Sequence, residues 1–284
     1  MTASTASILL VGLPETGKTN YLARLWASLR EGKSAVTSTP DTGVIKYVED
    51  AVAHLLEGAF AGRTTLDSED QSATFRIPVR ASEGAIAAEL VVPDVNGEMW
   101  RDAVEDSEIS QRWHDELCRT SMALLFVRAR SPLNHMPLDW VVSDGILTKI
   151  TPNAEVQSRI PTQVYLCQLL RFLETTLGQS GVKTPRRVAV VVTAWDRLDA
   201  QQRAQGPWRY LESEFPLFFG ALQNSEELDI DAFGVSIVGG DLTDDPGFKA
   251  DFLANGDVHA SGYVVHGTEE QADVTIPIAW LLRK

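Results

Sequence analysis

Cysteine is scarce in this chain of 284 residues: there are two, Cys118 and Cys167, in helix-like stretches. Two thiols without metal-ligand spacing exclude a disulfide scaffold and a cysteine-based zinc site, and they suit a reduced, cytoplasmic protein. Positive charge is also in short supply. Lys and Arg number 25 against 39 Asp and Glu, for a net charge of −14, which argues against binding nucleic acid by bulk electrostatics. No apolar run reaches the ~18 residues of a membrane span. The opening MTASTAS lacks the basic region and apolar core expected of a signal peptide. The histidines, His54, His114, His135, His259 and His266, are scattered without metal spacing. There is no fixed-period repeat, no low-complexity tract and no linker that would separate two cores. The remainder is ordinary for a soluble globular protein, 44% hydrophobic and 23% charged. The expectation is a single domain over residues 1–284, with insertions at about 35–72, 131–160 and 239–270.

Strand-like and helix-like segments alternate, which predicts an α/β fold with a mainly parallel central sheet. The strands are Ile8-Leu9-Leu10-Val11, ATFRIPVRA (73–81), AIAAELVVPD (85–94), MALLFVRAR (122–130), the β-branched RRVAVVVTAWD, and AFGVSIV (232–238) as the last core strand. The second and third are separated by the turn Ser82-Glu83-Gly84 and read as a hairpin, adding one antiparallel edge strand. Helical spacing of Tyr21, Leu22, Leu25, Trp26 and Leu29 predicts a helix after the first strand. Further helices are expected at 47–60, in PTQVYLCQLLRFLETTLG, on both sides of Pro216 and in IPIAWLLRK; residues 105–119 read as a solvated helix or a partner surface. Residues 35–46, 131–160 and the Gly- and Asp-rich 239–262 read as irregular. The seven Trp residues read as packing groups, since basic residues do not interleave with them.

Between the first strand and helix lies Gly12-Leu13-Pro14-Glu15-Thr16-Gly17-Lys18-Thr19, which fits G-x-x-x-x-G-K-[ST] at every fixed position. Glycines let such a loop curl so that successive N–H groups face phosphate oxygens. The lysine reaches the β- and γ-phosphates, the Thr19 hydroxyl can ligate Mg²⁺, and the helix N-terminus faces the anion. This predicts a nucleotide site whose loop members include Gly12, Glu15, Thr16, Gly17, Lys18 and Thr19. Pro14 has no N–H, so one donor is missing from the cradle, and Glu15 adds an anion.

Downstream, the strand AELVVPD ends on Asp94, followed by Val95-Asn96-Gly97-Glu98. D-x-x-G occurs three times, at 94–97, 231–234 and 244–247, but only the first follows an apolar strand downstream of the loop. A carboxylate there suits Mg²⁺, directly or through water, while Gly97 offers an N–H near the γ-phosphate; the alternative is a helix-capping aspartate. Thr193-Ala194-Trp195-Asp196 ends the β-branched strand. An aspartate at that point can accept from guanine N1–H and the 2-amino group, whereas adenine would leave the carboxylate facing a lone pair.

The order of these motifs resembles the TRAFAC class of P-loop GTPases, to which Ras-like and translation-factor GTPases belong, over about residues 7–282. The resemblance implies the three-layer P-loop NTPase sandwich. More narrowly, the extra helix before the switch region, the Trp after position 194 and the terminal IPIAWLL are similar to bacterial double-GTPase families associated with conflict or defence systems. By this resemblance Lys18 and Thr19 bind phosphate and Mg²⁺, Asp94 holds Mg²⁺, Gly97 senses the γ-phosphate, Asp196 reads guanine with Thr193 in the same motif, and Ser236 lies beneath the purine O6. The family's guanine motif carries a lysine that lies along the purine and braces the loop; here it is Ala194. Glu98 stands where Ras-like proteins have a water-orienting glutamine. A carboxylate there accepts from water but donates nothing back and repels the γ-phosphate, so slow hydrolysis is expected.

Lys18 and Asp94 are 76 residues apart, and the switch threonine is among Thr37, Thr39, Thr42, Thr64 and Thr65. Thr65 is preferred, in a polar stretch before a strand, as a further Mg²⁺ ligand. Arg63 beside it is a candidate cis arginine finger, or a solvated loop charge. The implied ligands are GTP or GDP and Mg²⁺, with a protein partner at the switch regions. The rivals are a non-hydrolysing scaffold and an ATP-using P-loop protein.

Overall fold

The computed structural model describes residues 6–38, 46–62, 75–82, 87–92, 97–134, 160–179, 186–255 and 261–283. Among these, nine strands form one sheet: β1 (Ala6–Val11), β2 (Val36–Ser38), β3 (Phe75–Ala81), β4 (Ala87–Val92), β5 (Met122–Arg128), β6 (Arg187–Thr193), β7 (Asp229–Ser236), β8 (Tyr263–His266) and β9 (Glu269–Gln271). Their order is β2-β3-β4-β1-β5-β6-β7-β8-β9. The five central strands, β4 to β7 with β1 among them, are parallel; β2 and β3 at one edge and β8 and β9 at the other are antiparallel to their inner neighbours.

The helices are α1 (Lys18–Glu31), α2 (Lys46–Leu56), α3 (Glu98–Glu105), α4 (Gln111–Arg119), α5 (Thr162–Thr176), α6 (Ala200–Glu214), α7 (Pro216–Gln223), α8 (Pro246–Asn255) and α9 (Ile276–Leu281). They cover both faces of the sheet. Alternation along β1 divides the core: Ile8 and Leu10 pack with Tyr21, Leu22 and Leu25 of α1 and with Ile278 of α9. Leu9 and Val11 pack on the opposite side with Trp100 of α3, Leu117 of α4 and Leu166 and Leu169 of α5. All of these side chains are buried, and each contributes about 2 kcal/mol of transfer free energy. Strands buried on both faces read as continuous apolar runs, which is why β1, β5 and β6 are visible in the sequence.

Four expectations are corrected. The sheet carries antiparallel strands at both edges, not one. β2 lies in 35–46, where no strand was foreseen: its backbone pairs with Arg80 and Val79 of β3, and Val36 N–H donates to Thr275 Oγ1. The stretch 239–262 contains α8, whose Phe252 packs with Ala51 and Leu55 of α2, and β7 is followed by two further strands. Residues 105–119 are the end of α3 and a separate α4, divided near Ser107, which has φ 55°.

The parallel strands place every motif loop at one edge. Gly12 follows β1, Gly97 precedes α3 beyond β4, Arg128 ends β5, Thr193 to Asp196 follow β6 and Ser236 ends β7. The carboxyl end of a parallel sheet is where open α/β folds bind ligands.

Candidate nucleotide site

Gly17 caps the N-terminus of α1 in the left-handed region, and Lys18 starts the helix. Lys18 is buried, with Nζ donating to Gly12 O at 2.7 Å and Leu13 O at 2.8 Å. The ammonium is thereby fixed at the centre of the loop. Thr16 is buried and its hydroxyl donates to Leu13 O at 2.8 Å. Glu15 is exposed, with φ 59°, so its side chain points away from the loop interior while its carbonyl turns toward β5.

Gly97 meets this loop directly. It has φ 79°, and a Cβ built on it would lie 2.4 Å from Lys18 Nζ, 2.6 Å from Gly12 O and 2.6 Å from the Leu13 carbonyl carbon. Only glycine fits there, on conformation and on space. The same residue caps α3, so the phosphate loop and α3 touch through one glycine. Glu98, half-buried, opens α3. The other end of α3 is held as well: Trp100 is buried, and the Tyr165 hydroxyl of α5 donates to Glu105 Oε1 at 2.5 Å. Burial, and then the Glu105 carboxylate, raises the Tyr165 phenol above its usual range and keeps it a donor.

On the base side, Thr193 does not face outward. Its hydroxyl donates to Thr16 O at 2.7 Å, tying the end of β6 to the phosphate loop. Ala194 is left-handed, with φ 55°, and starts the short helical turn Trp195–Arg197. Trp195 is fully buried, flat against Gly234 of β7, where an added Cβ would lie 2.4–2.8 Å from the indole ring. The Trp thus anchors the turn that carries Asp196. This packing, with Asp231 accepting from Trp208 Nε1 and facing His266 Nε2, accounts for the second D-x-x-G match. In the third, Asp244 pairs with Arg197.

Asp196 is half-buried and accepts from the hydroxyl of buried Ser236, whose oxygen in turn accepts from Gly239 N–H at 2.9 Å. Burial raises the Asp196 carboxyl above its usual range, assisted by the charge of Asp241; Ser236, the residue's own backbone N–H and Arg197 offset only part of this. An acceptor held by a hydroxyl and partly stripped of water is a suitable receptor for paired N–H donors. Ser236 therefore stands behind Asp196, orienting it.

Of the expected Mg²⁺ ligands, only Thr19 is described; Asp94 and Thr65 lie outside the described residues, as do Arg63 and the alternatives Thr39, Thr42 and Thr64. Thr37, the remaining alternative, is on β2. The chain leading to Arg63 is nonetheless located. Asn20, next to Thr19, makes two bonds to the Ala61 backbone, 2.8 Å from Ala61 N–H and 3.3 Å to Ala61 O. Among the described residues no cluster of three His, Cys, Asp or Glu could hold a metal ion, and Thr19, the one described residue of the implied Mg²⁺ ligands, opens α1 beside the loop.

Two groups at the site were passed over in the sequence. Arg128, at the end of β5, donates from Nη1 to Glu15 O at 3.0 Å. Asp241, after β7, pairs with Arg197 at 2.9 Å. Burial opposes ionisation of Asp241, but backbone N–H groups of Thr243 and Asp244 and the charges of Arg197 and Arg128 outweigh it and hold its carboxyl below the usual range. The sole signal for Arg128 was a cation closing a buried central strand.

No match was found among the curated proteins. Among solved structures, the chain is similar to the signal recognition particle receptor SRb-GTP/SRX complex from Chaetomium thermophilum, at 14% identity over 90% of this chain and 99% of that chain, with a TM-score of 0.39. It is similar also to the Arl6 BBS3 small GTPase from Trypanosoma brucei with a bound GppNp analogue, at 9% identity, 88% and 96% coverage and a TM-score of 0.35. A third is Methanosarcina barkeri Roco2 RocCORdC bound to GDP, at 12% identity, with 95% of this chain but 52% of that chain covered and a TM-score of 0.29. At TM-scores this low, these likenesses carry no argument about the site. The double-GTPase 1 family, by contrast, matches residues 9–281, nearly the whole length. The chain whose Gly12–Thr19 loop, Gly97 turn and Asp196 turn gather at the carboxyl ends of the parallel strands thus belongs to the double-GTPase 1 family.

Proposed function

We propose that this protein is a GTP-binding switch of one GTPase-like domain that hydrolyses GTP slowly with Mg²⁺. The observation that carries the reading is Gly97 seated on Lys18. The lysine of this motif serves β- and γ-phosphates. A γ-phosphate on Lys18 and Gly97 in its present place exclude one another. A triphosphate must displace Gly97, and because Gly97 caps α3, the displacement moves the start of that helix. Binding energy at the phosphate is thereby converted into a change at the surface. Lys18 and the backbone of Glu15 to Thr19 hold the phosphates, and Asp196, braced by Ser236, selects guanine. Thr19, Asp94 and Thr65 would hold Mg²⁺, which would supply positive charge to the phosphates. The Ala61–Asn20 bonds support a role for the segment after Gly62, because they fix Ala61, two positions before Arg63 in the sequence, on the residue next to Thr19.

Glu98 at the start of α3 also favours a second reading, a nucleotide-binding scaffold that does not hydrolyse, since its carboxylate adds repulsion where an amide would assist water. Either form acts in the cytoplasm, in a multi-protein bacterial system, through a partner that reads α3 and the segment after Gly62. The test is to identify the nucleotide carried by the purified protein, compare melting with GDP and ADP, and follow phosphate release over hours. GDP stabilisation exceeding that by ADP, with slow release, is the expected result. Equal stabilisation by ADP and GDP removes the guanine assignment, and tight GTP binding without release selects the scaffold.

A further inference from the structure

The base-reading turn lacks a long side chain at Ala194, which offers a methyl group on a left-handed residue. Beside it, Arg128 and Thr193 are register partners on adjacent parallel strands, so their side chains leave the same face of the sheet. They reach consecutive carbonyls of the phosphate loop: Thr193 Oγ1 donates to Thr16 O at 2.7 Å and Arg128 Nη1 to Glu15 O at 3.0 Å. The Glu15 carbonyl is where the loop needs a hold. Pro14 before it supplies no N–H, and Glu15 is a non-glycine residue with φ 59°, a conformation that persists only when its surroundings enforce it.

The same register places Arg128 beside Thr193, the residue just before the Ala194 turn. The guanidinium charge acts on Asp241, and Asp241 acts on Asp196. Arg128 is therefore coupled to the phosphate loop by its bond to Glu15 O and to Asp241 through its charge. A guanidinium that spends one N–H on Glu15 still presents a planar face, which stacks on aromatic rings.

We propose that Arg128 is a positioning residue of the nucleotide site: from β5 it braces the phosphate loop at Glu15 O and lies along the purine, the work that a lysine at position 194 would do from the turn after β6. This rests on the guanine-nucleotide reading above. The prediction is specific because it makes positions 128 and 194 interchangeable sources of one function, although one ends β5 and the other follows β6.

The test measures dissociation of a fluorescent GDP analogue, and competition by GDP and ADP, for the parent, Arg128→Ala, Arg128→Lys, Ala194→Lys and the double variant Arg128→Ala/Ala194→Lys. Loss of one charge-assisted hydrogen bond and a stacking face predicts that Arg128→Ala releases GDP about 10- to 100-fold faster. Arg128→Lys, which keeps a donor for Glu15 O, falls between. Ala194→Lys alone changes release little, and in the Arg128→Ala background it restores most of the loss. A merely structural arginine would not be replaced from the turn after β6. Unchanged release in Arg128→Ala, or a double variant no better than Arg128→Ala while the apo proteins melt alike, overturns the proposal. If Arg128→Ala does not fold, Arg128→Lys carries the comparison, and parent-like release there together with no effect of adding Ala194→Lys counts against it. A parent that binds no guanine nucleotide overturns the switch reading and this proposal together; a parent that binds, with a variant that binds equally, overturns this proposal alone.

Discussion

Replacing Gly97 by alanine asks how much the contact between the phosphate loop and α3 is worth. Two costs are built into the site. Alanine at φ 79° suffers left-handed strain, about 1–2 kcal/mol. Its Cβ also overlaps Lys18 Nζ at 2.4 Å, Gly12 O at 2.6 Å and the Leu13 carbonyl carbon at 2.6 Å. Two of these are backbone atoms, and the third is an ammonium pinned by two carbonyls. None of them can swing aside, so the turn leaves the loop. Overpacking of this kind costs about 1–3 kcal/mol. Gly32 separates the two terms. It has φ 72° but nothing within 4 Å of an added Cβ, so Gly32→Ala carries the strain alone. Gly97→Ala should then melt about 2–6 °C below Gly32→Ala, the amount that 1–3 kcal/mol implies for a chain of this size. A triphosphate no longer has to displace Gly97, so the preference for a GTP analogue over GDP should rise about 5- to 150-fold over the parent. Differential scanning fluorimetry of the apo proteins and competition binding with GDP and a non-hydrolysable GTP analogue supply both readings. Equal melting of the two alanine variants, with an unchanged triphosphate-to-diphosphate ratio, would refute the competition between Gly97 and the γ-phosphate.

Lys18→Ala should keep the fold and lose nucleotide binding by at least about 100-fold, since a charge-assisted contact to phosphate is removed; isothermal titration with GDP decides it, and parent-like affinity ends the phosphate-loop assignment. Asp196→Asn should weaken GDP and shift preference toward xanthine, whose 2-oxo group suits an amide donor. The same variant should stabilise the apo protein at neutral pH. Because the folded Asp196 carboxyl is raised, its contribution is present below the ordinary carboxylate range and is lost as pH rises through the folded value. The advantage of Asn over Asp should therefore vanish below about pH 4 and grow as pH rises above it, as followed by urea midpoints. Single-turnover hydrolysis of pre-bound GTP should run at about 10⁻⁴ to 10⁻² s⁻¹. Arg63→Ala should lower that rate without weakening GDP, because a finger aimed at developing γ-phosphate charge acts on the transition state; an unchanged rate returns Arg63 to a loop charge. Glu98→Gln should raise the rate, and a slower variant would show that the carboxylate assists water after all.

The buried parallel strands, α1 and the loop Gly12 to Thr19 were determined by the sequence alone. Their signals are local: unbroken apolar runs, a 3.6-residue period, and a motif whose spacing is dictated by the curl of one short loop. The Asp196 turn was legible for the same reason, since it ends a run of β-branched residues. The edge strands and α8 were not. β2 is three residues whose strand state comes from β3 alongside, and α8 is held by Phe252 against α2 from a segment rich in Gly and Asp; nothing in either stretch encodes its partner. The site divides in the same way. Sequence supplied Lys18, Thr193, Asp196 and Ser236 as candidates, but not the bonds that tie them to their neighbours. Tertiary packing turned Thr193 into a tie to Thr16 and Ser236 into a support for Asp196. It alone brought Gly97 onto Lys18 across a gap of nearly eighty residues, and Arg128 onto Glu15 from a strand with no motif of its own. Contacts between residues far apart in the chain are set by strand order and register, and those become definite only when the sheet has assembled.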